Sequence, residues 1–414
     1  MDFKLLLQEF KVSEDLDVDK LSRLVSRELG IRLINSSTSM LTSGIIPGSF
    51  KDTKDRGNNH YILAIDFGGT TCKSAIISRH EFKIVDVHTF DVPFRVLDTF
   101  FFDTIIQSVC GWVYEYTGDR LFHFQVGITF SFPLNSRNEI TTMGKGFTMT
   151  EEVCNISVQT LIQRSFCHVL ARNKKYGFKV SLCGVINDSV AVFLTNKVIY
   201  GNNDTVMILG TGLNFCFTLP YEMIPKSKLP VNYRKGDWVL INSEAGFLGS
   251  GYLPLGRFDQ HHTEKSAPYM PLEYLASGKW IPKSLENALC SSGKLPSKNI
   301  VFNGELICDI LDAINRDLFG ADFEMIQEIT RLLIDRAAIY IYAVIKGIYR
   351  FRDGHDIEKP IVIGFTGSFL HYCKYYYKKL LEVSGGMVRY NFLPDSNLLG
   401  AAIHTVYYPQ EYQT

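Results

Sequence analysis

The 414-residue chain lacks an excess of charge of either sign: 43 lysines and arginines stand against 43 aspartates and glutamates. No overall field therefore draws it to nucleic acid or to acidic lipid, and no basic stripe or nucleic-acid-binding motif breaks that balance. No run approaches ~18 uninterrupted apolar residues, so nothing in the sequence reads as a membrane-spanning helix. The nine cysteines are scattered singly from Cys72 to Cys373 with no CxxC pair. Neither a disulfide framework nor a zinc site is expected, and Cys183, Cys216 and Cys308 lie in apolar runs as reduced core thiols do. Short tandem repeats and low-complexity tracts are missing. So is GxxxxGK[ST], which removes the P-loop as a nucleotide site. The leading MDFKLLLQEFKVSEDLDVDKLSRLVSREL has no signal-type apolar core, which leaves the sequons at Asn35, Asn155, Asn187 and Asn203 as chance matches. These absences together lead to the expectation of a cytoplasmic protein.

What is present is a well-packed globular composition, 46% hydrophobic and 13% aromatic, in a chain too long for one ordinary core. The most informative stretch is IDFGGTTCKSA, Ile65 to Ala75. An apolar run ends in Asp66 and turns through Gly68 and Gly69 to two threonines and Lys73. Such a turn exposes backbone N–H groups that can cradle phosphate, while Asp66 can hold a divalent cation through water. The theme returns at Thr205 to Leu219, TVMILGTGLNFCFTL, where an apolar strand, a Gly-Thr-Gly turn and a second apolar strand follow one another. The echo suggests a nucleotide held between two related half-molecules. Two unrelated β-hairpins remain the alternative at this level.

Leu5, Leu6, Phe10, Leu16, Leu21, Leu24 and Val25 read as the buried stripe of N-terminal surface helices. Residues Asn35 to Asn59 are polar and glycine-containing and read as a loop-like link. Strands are expected at Tyr61–Asp66, Cys72–Ser78 and Phe82–Phe90, then a helix from Leu97 to Tyr116 and a strand through Phe124–Phe132. A helix (Val158 to Ala171) and a strand (Phe178 to Ile186) lead to Asn187-Asp188. This is a mixed α/β pattern, not an alternating βαβ unit. The second half opens at Thr205 and becomes helical. Its strongest helix, Glu328 to Ile348, is apolar nearly all round, as expected of a helix buried between a sheet and its neighbours. A last apolar strand, Pro360 to Phe365, ends in Thr366-Gly367-Ser368, and NLLGAAIHTVYY follows near the C-terminus. A duplicated α/β fold with a cleft between its halves is the expected architecture.

Taken together these blocks resemble the eukaryotic-type (fungal) hexokinase family, within the actin-like sugar-kinase superfamily. IDFGGTTCK resembles the first phosphate motif and ILGTGLNF the second. ITFSFPLNS (Ile128 to Ser136) resembles the family's sugar-binding strand and turn. GKGF (Gly144 to Phe147), VINDSVAVFL (Val185 to Leu194), INSEAGFLG (Ile241 to Gly249), PLEYLASGKW (Pro271 to Trp280) and DRAA within the long helix also match, in the family's order. The resemblance runs from about Met40 to Ala402. It implies a ribonuclease-H-like, duplicated actin-like fold with two lobes around a cleft. The expected division is N-terminal helices and linker over 1–51 packing on the large lobe, a small lobe over 52–188 and a large lobe over 189–414, with the C-terminal segment able to return to the small lobe.

The resemblance further implies an ATP-dependent hexokinase that transfers the γ-phosphoryl group to the 6-hydroxyl of glucose or a related hexose. Asp188, at a strand-to-helix junction, then takes the proton from the attacking hydroxyl. Taken alone, that position suits a helix cap just as well. Ser131, Lys145, Asn187, Asp188, Asn214, Glu244 and Glu273 match positions that hydrogen-bond the sugar. Lys145 can also favour the ionised form of Asp188, and Glu273, just after Pro271, also suits a helix start. For the nucleotide the matching residues are Asp66, Gly68, Gly69, Thr70 and Lys73, then Gly210, Thr211 and Gly212, with Gly367 and Ser368 at the adenosine end. ATP carries Mg²⁺, which Asp66 assists through water. The expected partners are a small-molecule sugar and a nucleotide, with no nucleic acid and no membrane, for a monomer or homodimer.

The chain departs from the family in several places. Thr71 and Lys73 stand where the family has asparagine and arginine, and lysine lacks arginine's planar fork. Met143-Gly144 replaces a Trp-Thr, which removes a hydroxyl beside the sugar and keeps an N-acetylglucosamine kinase as an alternative. Thr366 replaces an aspartate, and Asp395-Ser396-Asn397-Leu398-Leu399-Gly400 replaces a glycine-rich turn. Ser396 and Leu398 there put side chains where adenine is expected to pass. That erosion keeps a weakly active or inactive sugar-sensing protein as the alternative of another class.

Overall fold

Helices outweigh the strand-forming runs, which are rich in β-branched residues. The computed structural model describes residues 3–13, 16–46, 60–68, 71–92, 94–118, 120–132, 134, 138–140, 148–201, 204–229, 234–260, 268–296, 300–314 and 316–408. The first half runs α1 (Phe3–Phe10), α2 (Val18–Asn35), β1 (Leu41–Ile46), β2 (Tyr61–Phe67), β3 (Thr71–Ser78), β4 (Ile84–Asp91), β5 (Val96–Leu97), α3 (Thr99–Thr117), β6 (His123–Phe130), β7 (Thr148–Met149), α4 (Val158–Arg172), β8 (Lys179–Asn187) and α5 (Asp188–Ile199). The second runs β9 (Thr205–Leu209), β10 (Leu213–Pro220), β11 (Trp238–Asn242), α6 (Pro271–Ala276), α7 (Trp280–Ser292), α8 (Gly304–Leu311), α9 (Phe323–Asp353), β12 (Ile361–Thr366), α10 (Ser368–Tyr372), α11 (Lys374–Val383), β13 (Val388–Phe392) and α12 (Ser396–Tyr407).

Two sheets carry the molecule. The five-stranded sheet has the order β4-β3-β2-β6-β8, and the six-stranded sheet the order β1-β11-β10-β9-β12-β13. In the first, β2, β3 and β4 form an antiparallel meander, and β6 and β8 add on in parallel. In the second, β9, β10 and β11 form the same meander, and β12 and β13 add on in parallel. The two halves therefore repeat one topology, with β1 as an extra strand on the second. This is the two-lobe, actin-like sugar-kinase fold.

The loop-like reading of Asn35 to Asn59 is corrected at β1, which pairs antiparallel with β11. All six of its residues are half-buried, so it shows no alternation to betray a strand, and the pairing is made by main chain alone. β13 also escaped the sequence reading, although Val388 and Tyr390 are buried and Arg389 and Asn391 exposed, the alternation of a half-buried strand.

α9 is the central support of the second half. Its apolar circumference is covered by α2 on one side and by α6, α8 and α11 on others. Gly347 lets α2 come close: a Cβ there would lie 2.5 Å from a Val25 methyl. Arg336 of α9 is 5% exposed and forks onto Asp259 (2.9 and 2.8 Å), whose carboxylate also accepts from Ser284 Oγ at 3.0 Å. That arrangement pairs two buried charges and pins the 256–259 turn to the helix.

α5 and α12 join the two halves. α12 packs on β2, β3, β6 and β8 and crosses α5, which in turn lies against β9, β10 and β12. The crossing is backbone to backbone: a Cβ on Gly400 would sit 2.0 Å from the Ala191 carbonyl oxygen, and one on Gly127 of β6 2.3 Å from that of Ala401. No helix among the described residues is long and apolar enough to cross a membrane.

Candidate active site

Register places three candidate groups in one row. Asp66 pairs with Lys73 on one side and Thr129 on the other, and Phe67 pairs with Phe130, which pairs with Asn187. Asp66, Ser131 and Asn187-Asp188 thus stand at the carboxyl ends of the neighbouring strands β2, β6 and β8, where ligands of open α/β sheets bind. The row is closed by Ser131 N–H donating to the Phe67 carbonyl at 3.1 Å.

Asp188 is the first residue of α5 and half-buried. Asn187, not Asp188, caps the helix: its Oδ1 accepts from Ser189 N–H (2.9 Å) and Ser189 Oγ (2.7 Å). The Asp188 Oδ1 lies 2.8 Å from the same Ser189 N–H. Asp188 also reaches the other sheet electrostatically. Burial pushes the Cys216 thiol of β10 up, and the Asp188 carboxylate adds to that push.

On the second sheet, Asn214, Glu244 and Glu273 are drawn together by hydrogen bonds. The Asn214 Oδ1 accepts from the backbone N–H of Phe215 (2.8 Å) and Ala245 (3.2 Å) and from Ser243 Oγ (3.2 Å). Its Nδ2 donates to Asn242 Oδ1 at 2.8 Å, and Asn242 Nδ2 donates to Glu244 Oε1 at 2.9 Å. Asn242 thus orients two candidate sugar ligands with one amide. The sequence reading passed over it, although it stands in the INSEAG block two residues before Glu244. Glu244 has φ 48° and ψ 51°, a left-handed conformation costly for a residue with a Cβ. Glu273 is the acidic residue in the first turn of α6 and also reaches out of its helix. Its Oε2 accepts from Leu213 N–H (3.2 Å) and its Oε1 from Trp280 Nε1 (3.3 Å).

The nucleotide candidates form two groups. At the first turn, Gly68 N–H donates to the Thr71 carbonyl at 3.1 Å, and a Cβ on Gly68 would meet that oxygen at 2.6 Å. Asp66 Oδ2 accepts from Asn397 Nδ2 at 3.0 Å, and Lys73 stands 3.9 Å from Asp395. Asn397 is the second residue missed: it lies in the DSNLLG turn, read only as a degraded glycine turn. Ser396 and Leu398 are each 1% exposed, so their side chains face the protein interior and not an adenine path. Helix α12 starts at Ser396, which turns Leu398 onto Ile62, Ala64 and Ala75.

At the second turn, Gly210, Thr211 and Gly367 meet. A Cβ on Gly367 (φ +119°) would lie 2.4 Å from the Leu209 carbonyl, so only glycine fits. Gly278 N–H donates to the Gly210 carbonyl (2.8 Å) and Lys279 N–H to that of Thr211 (3.1 Å). Gly212 lies beside Glu273, whose Oε2 is 3.0 Å from where its Cβ would be. Ser368 is exposed at the start of α10. Lys145, Gly69, Thr70 and the Met143-Gly144 departure lie outside the described residues.

The two sheets of one topology meet through α5, which Asp188 heads at the end of β8. Comparison with known proteins places the family. Sequence profiles described as hexokinase match residues 2–198 and 205–310. The chain belongs to the hexokinase family. By that membership it is a hexose phosphotransferase. Among its relatives is N-acetylglucosamine kinase 1 of Candida albicans (strain SC5314), 22% identical over 85% of this chain and 84% of that one. Hexokinase-1 of Pongo abelii is 26% identical over 72% of this chain but 33% of its own length. The structure of the Schistosoma mansoni hexokinase complexed with glucose superposes with a TM-score of 0.76 at 19% identity, covering 98% of this chain and 100% of that one. That similarity is one of fold.

Proposed function

We propose that this hexokinase-family chain transfers the γ-phosphoryl group of ATP to the 6-hydroxyl of glucose or a related hexose, with Asp188 as general base. The observation that carries this is the place of Asp188. It heads α5 at the end of β8, in the row with Asp66 and Ser131, on the helix that packs against β9 and β10 of the other sheet. A carboxylate there accepts the hydroxyl proton as the oxygen attacks phosphorus in line. Asn187, Asn214, Glu244 and Glu273 would hold the remaining hydroxyls, together with Ser131 and Lys145. Backbone N–H groups of the two turns would hold the phosphates, with Lys73 supplying positive charge.

Mg²⁺ would fit the described residues through water. Among the described residues no group of three or more acidic, histidine or cysteine side chains could cage a metal. Asp66 is a single carboxylate already oriented by Asn397. That donor set suits a cation carried by the phosphates and reached from Asp66 through water. When bound, the ion neutralises charge on the transferring phosphoryl group. The working division is a small lobe over 52–188, to which α12 returns, a large lobe over the remaining residues after 188, and N-terminal helices on the large lobe. Closure of the lobes would exclude water. A location in the cytoplasm and a monomer or homodimer complete the reading.

The Candida albicans relative, covering most of both chains, favours N-acetylglucosamine as the second candidate substrate. One experiment tests both. Purified protein is assayed with glucose, fructose, mannose and N-acetylglucosamine, with Asp188→Ala alongside. The expected outcome is ATP-dependent turnover of at least one sugar, reduced about 10²–10⁴-fold in the variant. An equally active, folded Asp188→Ala removes that residue from the mechanism.

A further inference from the structure

The turn that carries Glu244 is gripped from behind at four points, three from the N-terminal helix α2 and one from Met40, which precedes β1. Glu28 of α2 accepts from Gly249 N–H (2.9 Å) and from Tyr252 Oη (2.7 Å) through the same oxygen, Oε2. Arg32, one helical turn on, donates its Nε to Glu28 Oε1 (2.7 Å) and its Nη2 to the Phe247 carbonyl (2.5 Å). At the start of β1, Met40 N–H donates to the Ser243 carbonyl at 3.1 Å. Residues 28–40 therefore hold the main chain at 243, 247 and 249 and the side chain at 252.

This grip is built for stiffness. The Glu28 carboxylate is 15% exposed and Arg32 21%, so the charge-assisted bonds are shielded from water and stronger than surface pairs. Burial, reinforced by Glu28, pushes the Tyr252 hydroxyl well up, which keeps it a donor. Lys228 fixes the far end of the same helix by donating to the carbonyls of Ser39 and Met40 (3.0 Å each) and Arg32 (3.3 Å). Gly249, at φ +102°, has no room for a Cβ beside Leu253.

The gripped segment needs stiffness. Glu244 sits in the left-handed region, which is strained for a residue with a Cβ, and such a conformation persists only where its surroundings over-determine it. Asn242 holds it from one side. On the other, the Leu248 carbonyl accepts from Leu272 N–H at 3.1 Å, one residue before Glu273. Movement at 247–249 would therefore reach both carboxylates.

We propose that Glu28 and Tyr252 are positioning residues for sugar binding: they clamp the 243–252 turn to helix α2 so that Glu244 and Glu273 keep the geometry a sugar requires. The N-terminal helix is by this inference part of the sugar site, although it supplies no ligand. The inference rests on the reading of Glu244 as a sugar ligand.

The test uses the full chain and isothermal calorimetry with glucose and with N-acetylglucosamine, then with MgATP, on the wild type, Glu28→Gln, Tyr252→Phe and Glu244→Gln. Tyr252→Phe removes one hydroxyl and guards against a misfolded Glu28 variant. The expected result is a sugar affinity about 5-fold weaker in both clamp variants, with MgATP affinity within about 2-fold of wild type. A merely structural role would lower both affinities together, and that outcome overturns the proposal. So does unchanged sugar affinity in both clamp variants while Glu244→Gln binds sugar poorly. Full sugar binding by Glu244→Gln, or none by the wild type, overturns the underlying site reading and the clamp with it.

Discussion

At the scale of single residues, this protein places several polar groups where water cannot help them. His404 of α12 is 9% exposed and lies flat on Tyr408, with ring centroids 4.8 Å apart. Burial pulls its pKa from 6.5 down to about 4. Between those values the unfolded chain binds the proton and the folded one does not, so stability is full above pH 6.5 and drains as pH falls toward 4. A shift of that size corresponds to about 3 kcal/mol. His404→Leu should therefore flatten the acid side of the stability curve, measured by urea unfolding between pH 7 and 4.5. An unchanged slope would show that other groups set it. Asn242, Asn397 and Ser189 teach a related lesson: each orients a candidate ligand side chain. Blocks of sequence point to ligands more readily than to the amides that aim them, because an asparagine's partner is named only by the fold.

At the scale of elements, the α5–α12 crossing decides how the halves meet. Thr195 Oγ1 of α5 donates to the Ser396 carbonyl at 2.8 Å, and Thr129 Oγ1 of β6 to that of Asn397 at 2.8 Å. Between these bonds Gly400 presses on the Ala191 backbone. Gly400→Ala adds one methyl where backbone stands, and it cannot be relieved by a side-chain rotation. It is expected to cost about 1–3 kcal/mol, with a lower melting temperature and impaired turnover, since α5 carries Asp188 and α12 holds Asp66. A Gly400→Ala protein as stable as wild type would show that the helices can part without loss. Sequence made most of these elements visible. The apolar circumference of 328–348 marked α9, though the helix spans Phe323–Asp353, and the apolar runs marked β2, β3, β6, β8 and β12. The turn of DSNLLG into a helix was not visible, because its glycine lies at a close contact and not at a bend.

At the scale of the whole molecule, the N-terminal helices are part of the core. Leu6, Phe10, Leu21, Val25, Leu29 and Leu33 are buried with α9 and the six-stranded sheet in one cluster, and β1 covers the edge of β11. Removing residues 1–46 would expose the apolar face of α9 and an unpaired strand edge, both routes to aggregation. The shortened chain is expected to be insoluble on expression. A soluble, cooperatively unfolding fragment would contradict this account of the core.

The sequence by itself determined the repeated hairpin, the α/β class and the family, and it named the candidates for binding sugar and phosphate, because apolar patterning and short glycine turns are local properties. Only the tertiary structure decided that Asn187 rather than Asp188 caps α5, that Ser396 and Leu398 face inward, and that β1 is a strand. It alone seats Glu28 behind Glu244, more than two hundred positions away along the chain. Those facts depend on which surface each element buries and on which distant backbone it meets, and no local pattern encodes either.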